Sequence, residues 1–386
     1  EPIFRNPLEN VVAYSPAETA IYVGSPSLAL LQDGGIVASH DFFGPKSPKD
    51  SFGRENATRI CRSDDGGKTW IRLAAVENAF WSSLFVHHGA LYLLGCSAHF
   101  GDIVIRRSDD GGRTWTDPLD EYSGLLFRGG QGYNPPNYHC APVPVLVHRG
   151  RLWRAFEDNV RIELRRFQAL VISADADADL LRASSWRMTN KLPYDPDIDP
   201  PDFGHGSPVK KHREAGWLEG NAVPAPSGEV WNILRVNSAP VANKAAITKV
   251  SEDGENLSFN PATGFIDFPG GMSKFTIRYD RESRRYWTLA NEVFNRRNPW
   301  QRNVLVLASS EDLIHWVRRC VLLHVHEDEN LVRNQCKIGF QYADWLLDGD
   351  DLIFLVRTAY NGANSFHNAN YITFHRLSNF RERFAG

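Results

Sequence analysis

Several short apolar runs in this chain end, or begin, on residues able to do chemistry. "GGIVASHDFFG" (residues 34–44) leaves a glycine turn, passes through Ile36-Val37-Ala38 and finishes on Ser39-His40-Asp41. "GRLWRAFE", "GEVWNILR", "RRYWTLANE" and "DDLIFLVR" carry Arg154, Arg235, Asn291 with Glu292, and Arg357 at or near their polar ends. Other strand-like runs start on Trp81, on Tyr138 with His139, on Glu219 with Asn221, on Lys274, and on Gln341 with Tyr342. Strand ends that repeatedly carry Arg, His, Asn and Lys describe a polar pocket with a positive excess. Arginine forks match a carboxylate bidentately, so a uronic-acid carboxylate would suit it. His40 could serve as a base, since an unperturbed imidazole is largely neutral near pH 7. Hydrolysis by two facing carboxylates, the commoner glycosidase device, would have to draw on Glu219 and Glu292.

Those positions matter only if the chain gathers them. "RSDDGGKTW" ending at Trp70 and "RSDDGGRTW" ending at Trp115 are near copies, and "VSEDGENLSF" (250–259) and "ASSEDLIHW" (308–316) are weaker relatives. Each reads as a hairpin whose acid accepts from turn N–H groups and whose indole fills the space between neighbouring sheets. The series of turn, apolar strand and polar end occurs six times, in the five segments above and in "GALYLLG" (89–95). A spacing of roughly 55 to 80 residues is the scale of four-stranded propeller blades with uneven loops. Helical periodicity is nearly absent. The expectation is an all-β fold, a β-propeller occupying residues 1–386 as a single domain, with six blades countable and the "ENVVAYS" strand (9–15) free to complete a seventh. In a blade the first strand begins, and the second ends, at one face, so the polar residues above would share a rim.

The Asp-Asp-Gly-Gly-x-Thr-Trp turns resemble the Asp-boxes of the sialidase-like propeller superfamily. Sialidases place an arginine just before the first long strand, where this chain has Gly24-Ser25-Pro26, and "FRNP" (4–7) lies too far upstream to replace it. That departure points away from sialic acid. Over most of its length the pattern is similar to the ulvan lyases and the enzymes that remove L-rhamnose from glucuronic acid in arabinogalactans, through "SHDFFGP", "YHCAPVPV…GRLWRAFE", "KFTIRYD…YWTLANE" and "GFQYADW…NANYITFHR". This resemblance implies seven blades and cleavage of a rhamnose–uronate linkage in an acidic polysaccharide by β-elimination. Elimination needs a neutralised carboxylate, a base for the C5 proton and an acid for the leaving oxygen. The resemblance assigns these to Arg154, His40 and Tyr138, while the strand ends themselves offer Trp81, His139, Glu219, Asn221, Arg235, Lys274, Asn291, Gln341 and Arg357 as substrate-binding residues. The lyases carry a second histidine on the strand before the first Asp-box, and here "NATRICRS" has none; His139 or His99 would have to substitute. A single histidine fits the alternative, an α-L-rhamnosidase, and a non-catalytic glycan-binding propeller is the third reading.

Net charge is −3, which gives no reason to expect a nucleic-acid partner, and 42% hydrophobic residues suffice for a large core. No run of about 18 apolar residues suggests a membrane span. "EPIFRNPLEN" reads as a mature start, so a secreted or periplasmic protein with its signal peptide removed is expected. Five cysteines cannot all pair with one another. "CVLLHVHEDENLVRNQC" groups Cys320, His324, His326 and Cys336, a mixture able to hold a structural zinc as some related lyases do, although the spacing matches no finger pattern. No cofactor is expected for catalysis. Oligomeric state, sulfation preference and endo or exo action stay open.

Overall fold

Each of the six apolar runs becomes the second strand of a sheet: Ile36–Phe43, Ala90–Cys96, Arg151–Asn159, Val230–Asn237, Arg285–Ala290 and Asp351–Ala359. They are continuously apolar because both faces of every sheet are covered. The computed structural model describes residues 1–200, 203, 215–325 and 335–384, and these form six antiparallel sheets. Six core clusters fill the junctions between successive sheets: Leu84 and Leu93 against Val37 and Ile60, for example, and Ile353 and Leu355 against Ile36 and Ala38. The last junction joins sheet six to sheet one, so the sheets are blades of a closed ring.

The seventh blade expected from the resemblance is therefore not formed. The chain of blade six supplies Gly339–Asp348, Asp351–Ala359 and Tyr371–Leu377, which would leave an open edge. Val11–Tyr14 covers it, pairing antiparallel with Tyr14 opposite Tyr371. The N-terminal strand completes a sixth blade and does not begin another.

The Asp-box turns connect third and fourth strands, at the end of the ring away from the rim. Asp110 accepts from the Arg113 and Thr114 amides and from the Thr114 and Ser108 hydroxyls, while the Trp115 indole donates to the Gly112 carbonyl at 3.0 Å. Burial pushes the Asp110 carboxyl up, but those bonds outweigh it and hold it at about 2.

Four of the inner strands share one irregularity. Pairing slips between Gly24 and Ser27, Phe80 and Ser83, Leu218 and Asn221, and Gln341 and Asp344. Each bulge holds a non-glycine residue in the left-handed region: Ser25, Trp81, Glu219 and Tyr342, with φ between 50° and 56°. Such backbone is costly and persists only where its surroundings enforce it. Here the polar residue two places on bonds to an adjoining blade. The Ser27 hydroxyl accepts from the Leu84 amide and donates to Asp344; Ser83 donates to the Val143 carbonyl; Asn221 donates to the Phe275 carbonyl and accepts from the Ile277 amide. This inner ring fixes the four strained residues at the rim.

Candidate active site

Two of the bulge residues meet across the ring. The Tyr342 phenol donates to Glu219 Oε1 at 2.6 Å, and Arg235 Nη1 lies 2.7 Å from Glu219 Oε2 and 3.2 Å from the phenol oxygen. Burial pushes the Glu219 carboxyl up, but Arg235, His139 and Tyr342 outweigh it and keep it below its ordinary range. Burial, followed by the neighbouring Glu219, raises the Tyr342 phenol. The pair is thus a protonated phenol hydrogen-bonded to an ionised carboxylate, ready to take its proton.

Two more guanidiniums converge on that phenol ring. Arg302 lies 5.6 Å from its centroid and Arg357 5.1 Å. Gln341 Oε1 orients Arg302 at 2.7 Å, and the His367 carbonyl accepts from Arg357. Among the described residues neither Arg302 nor Arg357 forms an ion pair, and both are buried, with Nε unpartnered. Burial lowers Arg302 to about 10, so it stays charged at neutral pH without a counter-ion. Such a site gains by taking up an anion. Gly24 makes room for it: a side chain there would begin 3.1 Å from Phe43 and 3.5 Å from Arg357.

Asp41 faces the same opening from blade one. Its carboxylate accepts from the Thr58 hydroxyl and the Trp81 amide, each at 2.6 Å, and from Ser25. Burial dominates these bonds and pushes its pKa up to about 7. It is therefore a carboxylic acid able to donate a proton near neutrality.

Blades two and three supply an aromatic side. Trp81 packs against His99 at 5.0 Å and His139 at 4.3 Å, and His139 in turn meets Phe167 at 4.8 Å. His139 Nδ1 is 2.8 Å from Glu157 Oε2, and the Gly220 amide donates to the other oxygen of Glu157 at 3.2 Å.

The rim expected from the sequence is thus partly gathered. Trp81, His139, Glu219, Arg235 and Arg357 surround one opening, while Gln341 stands behind Arg302. The trio assigned to elimination is not brought together. The His40 ring packs edge-on against Phe42, 5.0 Å away, and burial lowers its pKa to about 4. Tyr138 lies in the packed junction between blades two and three, beneath Lys191. Arg154 is fully buried and donates to Ser83 and to the carbonyls of Ala141 and Ala155. Asn221, Lys274 and Asn291 bond to backbone carbonyls of the ring, Lys274 to Ala343 and Asn291 to Phe340. Glu292 pairs with Arg318 at 3.0 Å and does not oppose Glu219 as a second carboxylate. For the zinc expectation, His326 lies outside the described residues, and among these no three His, Cys, Asp or Glu side chains form a metal-sized group.

Three residues central to the opening had no role in the sequence reading: Asp41, Arg302 and the phenol of Tyr342. Strand alternation holds the signal for the first, because His40 and Asp41 necessarily face opposite sides. Arg302 follows the second strand of blade five by a dozen residues of loop, and no strand-end rule reaches it.

No protein-family model and no curated protein matches this chain. Solved structures do. A Penicillium chrysogenum alpha-L-arabinanase complexed with arabinobiose is 15% identical with a TM-score of 0.57, covering 96% of this chain and 98% of that one. The Hadza microbial sialidase Hz136 is 13% identical with a TM-score of 0.60, over 95% of this chain and 68% of that one. A Trypanosoma rangeli sialidase in complex with sialic acid is 14% identical with a TM-score of 0.57, over 97% and 58%. The likeness is one of fold: this chain shares the β-propeller architecture of these arabinanase and sialidase structures.

Proposed function

We propose that the protein is a carbohydrate-active enzyme that hydrolyses the glycosidic bond of a carboxylate-bearing sugar, with Tyr342 as nucleophile. The observation that carries this reading is the convergence of Arg235, Arg302 and Arg357 on the Tyr342–Glu219 pair. The guanidiniums bind the sugar carboxylate. Asp41 gives its proton to the glycosidic oxygen as that bond breaks. The Tyr342 oxygen bonds to the anomeric carbon and its proton passes to Glu219. Water then attacks the same carbon, Asp41 takes a proton from it, and Tyr342 leaves with the proton returned from Glu219. Two displacements retain the anomeric configuration. A neutral phenol approaches an anionic sugar without the repulsion that a carboxylate nucleophile would meet.

The guanidiniums lie beside the attacking oxygen, which favours a carboxylate carried on the anomeric carbon itself, as in sialic acid and its relatives. The fold-level likeness to sialidases agrees with this, and the gap at Gly24-Ser25-Pro26 does not oppose it, because Arg357 reaches that spot from blade six. The same cluster would neutralise a uronate, so β-elimination at a rhamnose–uronate linkage is the second reading. One set of assays separates them. Release of 4-methylumbelliferone from the N-acetylneuraminic acid glycoside supports the first, and rising absorbance near 235 nm on ulvan oligosaccharides supports the second. Free rhamnose from gum arabic without that rise would favour a rhamnosidase, and binding without turnover on every substrate a glycan-binding propeller.

A further inference from the structure

The opening has two unlike halves. Blades four to six give it the guanidiniums, whereas blades two and three give it Trp81, Phe100, Phe167 and, among them, His139. His139 is 7% exposed, yet among the described residues only its Nδ1 has a hydrogen-bond partner, the buried carboxylate of Glu157. Because Nδ1 is taken up by Glu157, Nε2 is the ring nitrogen left to bond a ligand. Glu157 is held in turn by the amide of Gly220, the neighbour of Glu219, so the imidazole is tied to the same bulge as the base.

We infer that the His139–Glu157 pair reads a hydroxyl group of the bound sugar, on the side away from its carboxylate. Aromatic walls pack on the apolar faces of a sugar ring and exclude water, so a ring nitrogen among them is satisfied only by a polar group that the ligand brings, and a hydroxyl can serve it as donor or acceptor. A ligand with hydrogen in place of that hydroxyl leaves Nε2 unpaired, and such a site rejects it far more strongly than a simple apolar contact would. The pair is thus a specificity determinant. It holds the ring body, while the guanidiniums hold its charge.

This inference rests on the glycosidase reading, and the test keeps the two apart. The substrates are the 4-methylumbelliferyl glycosides of N-acetylneuraminic acid and glucuronic acid, each also prepared with single hydroxyls replaced by hydrogen. For the wild type, at least one deoxy analogue falls about tenfold or more below its parent in kcat/KM. In His139→Ala that analogue and its parent come within about twofold of each other, through a loss confined to the parent. Glu157→Gln, which keeps the shape but lets an amide donate toward Nδ1, narrows the gap in the same direction and covers a failure of the alanine variant to fold. An unchanged ratio in the folded variants, or no discriminated analogue in the wild type, overturns the inference and leaves the glycosidase reading standing. No turnover of either parent glycoside overturns both.

Discussion

Replacing Asp41 by asparagine should slow cleavage of substrates with a sugar leaving group and stabilise the protein at neutral pH. Asp41 titrates near 7 where it is buried and near 3.9 in an unfolded chain. Because the folded value is the higher one, the favourable contribution is complete below pH 4 and is lost as pH rises through 7. Between pH 4.5 and 7.5 the linkage integral for those two values amounts to about 3 kcal/mol. An amide does not titrate, so the variant escapes that loss. It also keeps its partners: the Thr58 hydroxyl can turn its proton to the Ala79 carbonyl, 2.9 Å away, and accept from the new amide. Urea unfolding of both proteins at pH 4.5, 6 and 7.5 isolates the effect, since the other groups titrate alike in the two. The variant should gain steadily on the wild type, by about 3 kcal/mol over the range. Its kcat should fall by about 10²–10⁴ on a sugar leaving group that needs protonation, and far less on 4-methylumbelliferone. A stability difference that stays constant with pH would refute the assignment of Asp41 as a buried neutral acid.

Tyr342→Phe keeps the ring between Arg302 and Arg357 but removes the nucleophile, so single-turnover measurements should find kcat reduced at least about a thousandfold with the melting temperature nearly unchanged. Arg302→Gln should raise KM for the anionic substrate by about 10–100-fold, the scale of one charged hydrogen bond, and change little for the methyl ester of the same sugar. Asp110→Ala removes the acceptor of one Asp-box turn and should cost about 1–3 kcal/mol in urea unfolding, with kcat of the folded protein unaffected. On a substrate with a sugar leaving group, kcat/KM should fall about tenfold per pH unit above pH 8 as Asp41 loses its proton, and a flat alkaline limb there would exclude it as the acid.

The fold was legible because blades repeat. All six second strands were identifiable, since a sheet covered on both faces leaves an apolar run between a turn and a polar end. The seventh blade was left open because strand Val11–Tyr14 looks the same whether it begins a blade or closes one; only its partner, Tyr371–Leu377, decides. At the site, the arginines at strand ends were visible, and so was the anionic preference they imply. The chemistry was harder to see, for two physical reasons. Residues adjacent in a strand face opposite ways, so His40 stood in for Asp41, and Tyr138 was put ahead of His139. A bulge then shifts the alternation by a residue, so no period counted along the chain finds that Glu219 and Tyr342 meet. Arg302 lies on a loop whose path depends on Gln341, forty residues away in blade six.

The partnership of Val11–Tyr14 with Tyr371–Leu377 also bears on how the protein is made. During synthesis the first of these strands must wait for its partner, which is translated only after the other five blades. Joining them confines a segment of some 360 residues, for which loop-closure scaling gives roughly 5 kcal/mol. Five blades can stack as they leave the ribosome, but Tyr342 and Arg357 belong to the sixth, which follows them. A chain without blade six therefore has most of its core but lacks the Tyr342 phenol and the Arg357 guanidinium of the opening. The opening is complete only when the ring shuts, so the proposed chemistry has to wait for that step.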